Sequence, residues 1–253
     1  MRRDSGNRTD VAVVSGTSSG IGAAVATEFL RRGYTVVGVS RRGNPGLKGD
    51  PRYVDCHADL RERDAVRRVF ESAGEAGETV AGGVAAVVLN AGFSPSPHSL
   101  ADVPPELAAE TYESNVLTAL NLVQATVPLL RRNGGGSLTF VGASLANGYV
   151  PERWPYAASK AAMTTLMRSC SVEFADSRVI ANEVRPGPVA TPMTMGETPY
   201  EISEEVLRVI NEGYGTDWLK APGQVAGWIV DIAEFPANGP TGQVFNYSRK
   251  VPL

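Results

Sequence analysis

Val11-Ala-Val-Val-Ser-Gly-Thr-Ser-Ser-Gly-Ile-Gly22 decides the fold. A short, β-branched apolar run leads into a glycine turn. The turn opens a segment with Ile21, Val25, Phe29 and Leu30 at helical spacing, and Gly33 ends it. The start of such a helix offers unpaired N–H groups and the positive end of the helix dipole. Gly16, Gly20 and Gly22 let an anion come close to the main chain. Strand, turn and helix together predict a phosphate-binding site made from Gly16, Thr17, Ser18, Ser19, Gly20, Ile21 and Gly22. The spacing is GxxxGxG, not the GxGxxG of many dinucleotide folds. A glycine turn alone is weak evidence; its place between a first strand and an amphipathic helix gives it weight.

Downstream, apolar runs alternate with helical stretches. Tyr34 to Val39 reads as a second buried strand, Arg52 to Ala58 as a weaker third and Val84 to Leu89 as a strong fourth. Ser137 to Val141, Arg178 to Val184 and Val244 to Tyr247 read as further strands. Helices are expected at Asp59 to Ala73, over Pro104 to Arg132 as one or two, from about Tyr156 to Ala175, and over 222 to 235. This alternation predicts βαβ units, hence an α/β fold with a doubly wound parallel sheet of about seven strands and helices on both faces. No repeat or linker divides the chain, so residues 11–253 read as one domain after a polar tail, 1–10.

Composition removes several alternatives. The net charge of −3 gives no electrostatic reason to expect nucleic acid or an anionic membrane surface. No apolar run of spanning length occurs, and the start lacks the apolar core of a signal peptide. Two cysteines, Cys56 and Cys170, build no disulfide framework and read as small core residues of a protein in a reducing, cytoplasmic setting. His57 and His98 have no metal-ligand spacing, so no metal site is expected.

The end of the second strand bears on the ligand. In dinucleotide folds an acid there receives a ribose hydroxyl, whereas arginine suits a 2′-phosphate. Here the strand runs into Ser40-Arg41-Arg42, and guanidinium groups grip phosphate bidentately. NADP(H) is therefore expected rather than NAD(H).

Tyr156-Ala-Ala-Ser-Lys160 places a phenol and an ammonium one helical turn apart on one face. A tyrosine is a poor acid–base group at neutral pH, and a close cation favours its phenolate. Beside a dinucleotide site, such a pair suits proton transfer to a carbonyl oxygen as hydride reaches the carbon.

From residue 10 to 247 the chain resembles the short-chain dehydrogenase/reductase family, in its compact single-domain branch. Ser15-Gly-Thr-Ser-Ser-Gly-Ile-Gly22 is similar to TGxxxGIG, Asn90-Ala91-Gly92 to the NAG element, Tyr156 and Lys160 to YxxxK, and Pro186-Gly187-Pro-Val189-Ala-Thr191 to PGxVxT. The resemblance implies a Rossmann-type fold. It also implies that Asp59-Leu60 meets the adenine, that Val189 and Thr191 hold the nicotinamide amide and the phosphates, and that Asn115 binds a water linking Lys160 to solvent. Lys160 would also bind ribose. The family's usual serine lies thirteen residues before the tyrosine, where this chain has Ala143. Ser144 is expected to take over the substrate oxygen, given a one-residue bulge at Gly142 and a shortened loop before Tyr156. The ending lacks the family's DGG after the last strand.

The expected function is an NADP(H)-dependent ketoreductase or secondary-alcohol dehydrogenase. Tyr156 is the acid–base group, Ser144 the oxygen ligand, Lys160 the cation that lowers the tyrosine pKa, and Asn115 the relay. A non-catalytic NADP-binding regulator or scaffold is the alternative, supported by the displaced serine. An epimerase or dehydratase of the same fold would need a larger C-terminal domain than this chain has room for. A lid is expected over 192–217, with Met193, Met195, Tyr200, Ile202, Val206 and Tyr214; Phe93, Ala146, Tyr149 and Trp154 are candidate walls. These point to a small, apolar substrate. The resemblance implies a homodimer or homotetramer built on helices 106–130 and 157–174.

Overall fold

The computed structural model describes residues 10–147, 151–195 and 219–248. Seven parallel strands form one sheet in the order β3-β2-β1-β4-β5-β6-β7. They are β1 (Val11–Ser15), β2 (Thr35–Ser40), β3 (Tyr53–His57), β4 (Val84–Leu89), β5 (Gly136–Val141), β6 (Val179–Arg185) and β7 (Val244–Asn246). The helices are α1 (Gly20–Arg31), α2 (Arg63–Phe70), α3 (Gly77–Ala81), α4 (Pro105–Tyr112), α5 (Thr118–Arg132), α6 (Trp154–Glu173), α7 (Pro192–Met195) and α8 (Pro222–Ala233). This is the Rossmann-type fold expected from the alternation of elements.

Each central strand feeds two cores, because successive side chains point to opposite faces. Val11, Val13, Val37, Val87 and Leu138 pack with Leu122, Val123, Met163 and Met167 of α5 and α6. Ala12, Val14, Val36, Val88 and Val141 pack with Val25 and Phe29 of α1 and with Val225 and Ile229 of α8. Each fully buried Val, Leu or Phe contributes roughly 1.5–3 kcal/mol, which holds both helical layers on the sheet. Burial on both faces is why these strands read as continuous apolar runs. Behind the second core, Arg32 clamps α1 to α8. Its guanidinium reaches Glu28 at 2.7 Å, Asp231 at 2.8 Å and Glu234 at 2.6 Å.

The strand order reverses between β1 and β4, and a crevice opens above that point at the carboxyl ends of the strands. The region 104–132 is helical, but α4 and α5 are joined by a π-helical turn, Glu113–Leu117, that holds Asn115. Extra-wide turns of this kind are frequent at functional sites. The expected bulge at Gly142 is not present. The β5–β6 ladder is regular to Val141↔Val184, and the Gly142 N–H continues it by donating to Val184 O at 2.9 Å. Ser144 instead begins a 3₁₀ turn, Ser144–Asn147, just beyond the strand. Of the expected lid, 192–195 forms α7; the remainder, with Tyr200, Ile202, Val206 and Tyr214, lies outside the described residues, as does Tyr149.

Candidate active site

The glycine turn has the backbone its sequence implied. Gly16 and Gly20 take φ values of +72° and +59°, which other residues rarely adopt. Ser19 begins α1 without a side-chain cap, so the first-turn N–H groups face the crevice unspent on a cap. The Ser15 hydroxyl accepts from Asn90 N–H at 2.9 Å and Ala91 N–H at 3.0 Å, and the Asn90 amide donates to Ser15 O at 2.9 Å. Two loops that end different strands are thereby locked together.

The crevice has a volume of about 800 Å³, toward the upper end of the roughly 300–1,000 Å³ of small-molecule sites. Gly16, Ser18, Ser19, Gly20, Ile21, Ser40, Arg41, Arg42, Asp59, Leu60, Asn90, Ala91 and Gly92 line it. Ser144, Tyr156, Lys160, Pro186, Gly187, Val189 and Thr191 line it too. Three expected residues do not. Thr17 is buried beneath the loop, where its hydroxyl accepts from Tyr53 at 3.1 Å and its carbonyl from the Asn44 amide at 2.8 Å. Gly22 is a packing glycine; a Cβ there would sit 2.2 Å from Gly16 O. Asn115 is buried beside the crevice. Its Oδ1 accepts from Phe93 N–H at 2.6 Å, and its Nδ2 donates to Phe93 O at 2.9 Å and Ser159 Oγ at 2.8 Å. This asparagine braces the loop after β4 against α6. Of the candidate walls, Phe93 and Met193 face the crevice, whereas Ala146, Trp154 and Met195 are not among its lining residues.

At the β2 end, Arg41 and Arg42 are exposed. Asp59 is already engaged by Arg61 at 2.7 Å, a contact that holds its carboxyl below the ordinary carboxylate value with help from Arg41. Cys56 and Cys170 are buried free thiols in the core. Among the described residues no group of His, Cys, Asp and Glu could hold a metal ion.

The tyrosine–lysine pair departs from the expected electrostatics. Lys160 is buried, and its ammonium donates to Val141 O at 3.0 Å and lies 3.5 Å from Met163 Sδ. It stands 5.7 Å from the centre of the Tyr156 ring, within cation–π reach of about 6 Å. No hydrogen bond joins it to the phenol in this structure. Burial pushes Tyr156 up to about 12, opposed by the Arg153 guanidinium. The expected depression of the tyrosine by Lys160 is therefore not what the protein alone provides. Burial pulls Lys160 itself from 10.5 down to about 8, with the Glu183 carboxylate acting against that shift.

The lysine shift has a thermodynamic consequence. Below about pH 8 the ammonium is charged in both folded and unfolded chains, and the full cost of burying it is present. Between about pH 8 and 10.5 the unfolded chain binds more protons, so stability rises with pH. The lysine contributes at most roughly 3 kcal/mol to that rise. Above pH 10, Tyr156 acts in the opposite direction, because its folded value lies above its unfolded one. Urea unfolding of the wild type between pH 7.5 and 9.5 should show the rise, and Lys160→Met should abolish it. A rise of the same size in the variant would assign the effect elsewhere.

Sequence reasoning missed two features. Arg153 lines the crevice one turn before Tyr156. Glu183 and Arg185 form a buried ion pair at 2.6 Å, with Arg185 also donating to Thr164 Oγ1 at 3.0 Å. The pair had a sequence signal: two opposite charges at i, i+2 on one side of a strand buried on both faces.

The fold and the crevice define a Rossmann-type protein, with its candidate ligand site at the reversal of strand order. The chain belongs to the short-chain dehydrogenase family, whose model, described as short chain dehydrogenase, matches residues 10–201. It is 34% identical over 190 residues to a bovine (Bos taurus) protein, dehydrogenase/reductase SDR family member 4, covering 72% of this chain and 66% of that protein. It is 28% identical over 232 residues to the 3-oxoacyl-(acyl-carrier-protein) reductase MabA of Mycobacterium tuberculosis, covering 92% and 88% of the two chains. The structure of a 3-ketoacyl-(acyl-carrier-protein) reductase from Brucella melitensis complexed with NADH superposes with a TM-score of 0.80 at 22% identity, over 94% of this chain and 96% of that one. At that identity the match speaks for the fold alone.

Members of the family bind a nicotinamide cofactor. The crevice fits such a dinucleotide: the uncapped first turn of α1 suits a pyrophosphate, and the cradle at Gly20 is narrow enough that a Cβ would meet Thr191 Cγ2 at 3.2 Å.

Proposed function

We propose that the chain is an NADP(H)-dependent ketoreductase or secondary-alcohol dehydrogenase acting on a small, largely apolar substrate. The observation that carries this reading is that Ser144, Tyr156 and Lys160 line the same crevice as the glycine turn. When bound, the nicotinamide supplies or accepts the hydride. Ser144 donates a hydrogen bond to the substrate oxygen and polarises it. The Tyr156 hydroxyl gives that oxygen a proton in reduction and takes one back in oxidation. Lys160 supplies positive charge behind the phenol. Asn115 holds the loop after β4 and α6 in fixed relation, and Val189 and Thr191, which line the crevice, would hold the nicotinamide amide and the phosphates. Phe93, Leu145 and Met193 provide apolar wall.

NADPH consumption with a panel of ketones and aldehydes tests the activity. Consumption above the no-substrate rate supports it; tight NADPH binding with no consumption across the panel would favour a regulator or scaffold. Cofactor choice rests on Arg41 and Arg42. The Arg41→Glu, Arg42→Glu double variant should bind NADPH about 10- to 100-fold more weakly, the range of a lost charge-assisted contact, with NADH binding little changed. Equal losses for both cofactors would remove the 2′-phosphate assignment.

Assembly as a homodimer or homotetramer in the cytoplasm belongs to the same reading. Tyr112, Leu117 and Val172 are exposed on or next to the helices assigned to such contacts. Among the described residues no helix is long and apolar enough to cross a membrane.

A further inference from the structure

The charged groups lining the crevice divide into two sets. Arg41, Arg42, Asp59, Arg61 and Glu110 gather at the end beyond the carboxyl ends of β2 and β3; Arg61 holds Asp59 and feels the field of Glu110. At the Tyr156 end, the charged lining residues among those described are Lys160 and Arg153. Lys160 is buried and turned onto Val141 O. Arg153 is different. It is partly exposed, lies at the mouth of α6 and faces no carboxylate within ion-pair distance among the described residues.

Its position is built. Glu152, the residue before it, takes φ +62°, a backbone that a non-glycine side chain seldom adopts. The Glu152 carbonyl accepts from His98 N–H at 3.1 Å. Arg153 Nη1 donates to Pro95 O at 2.9 Å and lies 3.5 Å from Ser94 Oγ. The loop after β4 thus grips one nitrogen of the guanidinium. Nε and Nη2 have no hydrogen-bond partner among the described residues. Arg153 is also close enough to oppose the upward shift of the Tyr156 phenol.

We propose that Arg153 is a specificity-determining residue, and that the substrate carries a carboxylate that meets it at the start of α6. A half-used, partly desolvated guanidinium offers two donors in a fixed fork, the geometry a carboxylate takes bidentately. An apolar substrate covering that partly desolvated cation would leave its free donors uncompensated, whereas a carboxylate would engage them. The substrate class is then a keto acid or hydroxy acid with an apolar body. The inference rests on the reading of Tyr156 as the proton donor and adds to it.

The test uses the NADPH-loaded enzyme and a matched pair of probes, 4-acetylbenzoate and 4-acetylbenzamide. Binding is measured by calorimetry on the NADP⁺ complex and turnover by NADPH consumption. The carboxylate should bind about 10-fold or more tighter than the amide, the span of a charge-assisted contact. Arg153→Met should erase that ratio, and Arg153→Lys should restore part of it. A purely structural role, tying the 94–95 loop to α6, would weaken both probes equally and leave the ratio intact, which overturns the proposal. So does a wild-type enzyme that binds neither probe or prefers the amide. If neutral ketones from the panel are still reduced in those cases, the oxidoreductase reading stands while the carboxylate assignment fails. If no ketone of any kind is reduced, the oxidoreductase reading fails as well.

Discussion

Tyr156→Phe should lower turnover by about 10²–10⁴-fold, the usual worth of a positioned general acid, while NADPH binding stays within about 2-fold of wild type. The substitution removes one oxygen and keeps the ring, so the packing over Lys160 survives. What disappears is the proton for the substrate oxygen. Ser144 still polarises the carbonyl, so a residual rate is expected. Burial holds the phenol above its ordinary value, which sets its resting protonation state. At neutral pH the hydroxyl is protonated and ready to donate, the form that carbonyl reduction needs. Alcohol oxidation needs the phenolate, so its rate should climb with pH through the alkaline range while reduction stays nearly flat. Single-turnover kinetics in both directions, with NADPH fluorescence for binding, would read all of this. A variant with most of its reductase activity would remove Tyr156 from the chemistry.

The second large effect is on stability. Arg185→Met should destabilise the fold by about 3–5 kcal/mol, the typical cost of stranding one member of a buried ion pair. Glu183 is 1% exposed and Arg185 3% exposed, so water cannot replace the lost partner. The Glu183 carboxylate also lies close beneath Gly142 on the crevice wall, where a Cβ in place of the glycine would sit 2.0 Å from its Oε1. Loss of Arg185 should therefore disturb the Ser144 turn as well as the core. The double variant Glu183→Gln, Arg185→Met should recover part of the loss, because neither member of the pair is then stranded, although buried Lys160 loses the field of Glu183. Urea denaturation of the single and double variants makes the comparison. A single-variant cost under about 1 kcal/mol, as at an exposed pair, would show that the pair contributes little.

Much of the architecture was legible because the strands are buried on both faces. Val11–Val14 and Val84–Leu89 have no polar residue to disguise them, Val36–Val39 has none either after Thr35, and helices between them force parallel pairing. The 104–132 region read as one or two helices; the structure has two, joined by the π-helical turn at Asn115, and Pro128 lies inside the second. Helix α3 went unread because Gly77-Glu-Thr-Val-Ala81 is too short to show a period. The residues gathered around the crevice were legible through their order along the chain. The directions of their side chains were not, since those depend on neighbours distant in sequence. Lys160 turns to Val141 on β5, Asn115 to Phe93 and Ser159, and Thr17 to Tyr53. Ser144 shows the same limit: its offset suggested a strand irregularity, whereas the strand is regular and the turn after it does the adjusting.

The order of the strands has a bearing on how such a protein diversifies. Contacts expected to choose between cofactors sit on segments following β1, β2 and β3, whereas Phe93, Ser144, Arg153 and Met193 follow β4, β5 and β6. The two halves of the sheet meet along a single ladder, β1 with β4. Recombination across that seam would let descendants exchange one set of preferences while inheriting the other intact, which makes the boundary near residue 84 a natural place to join chimeras of related chains.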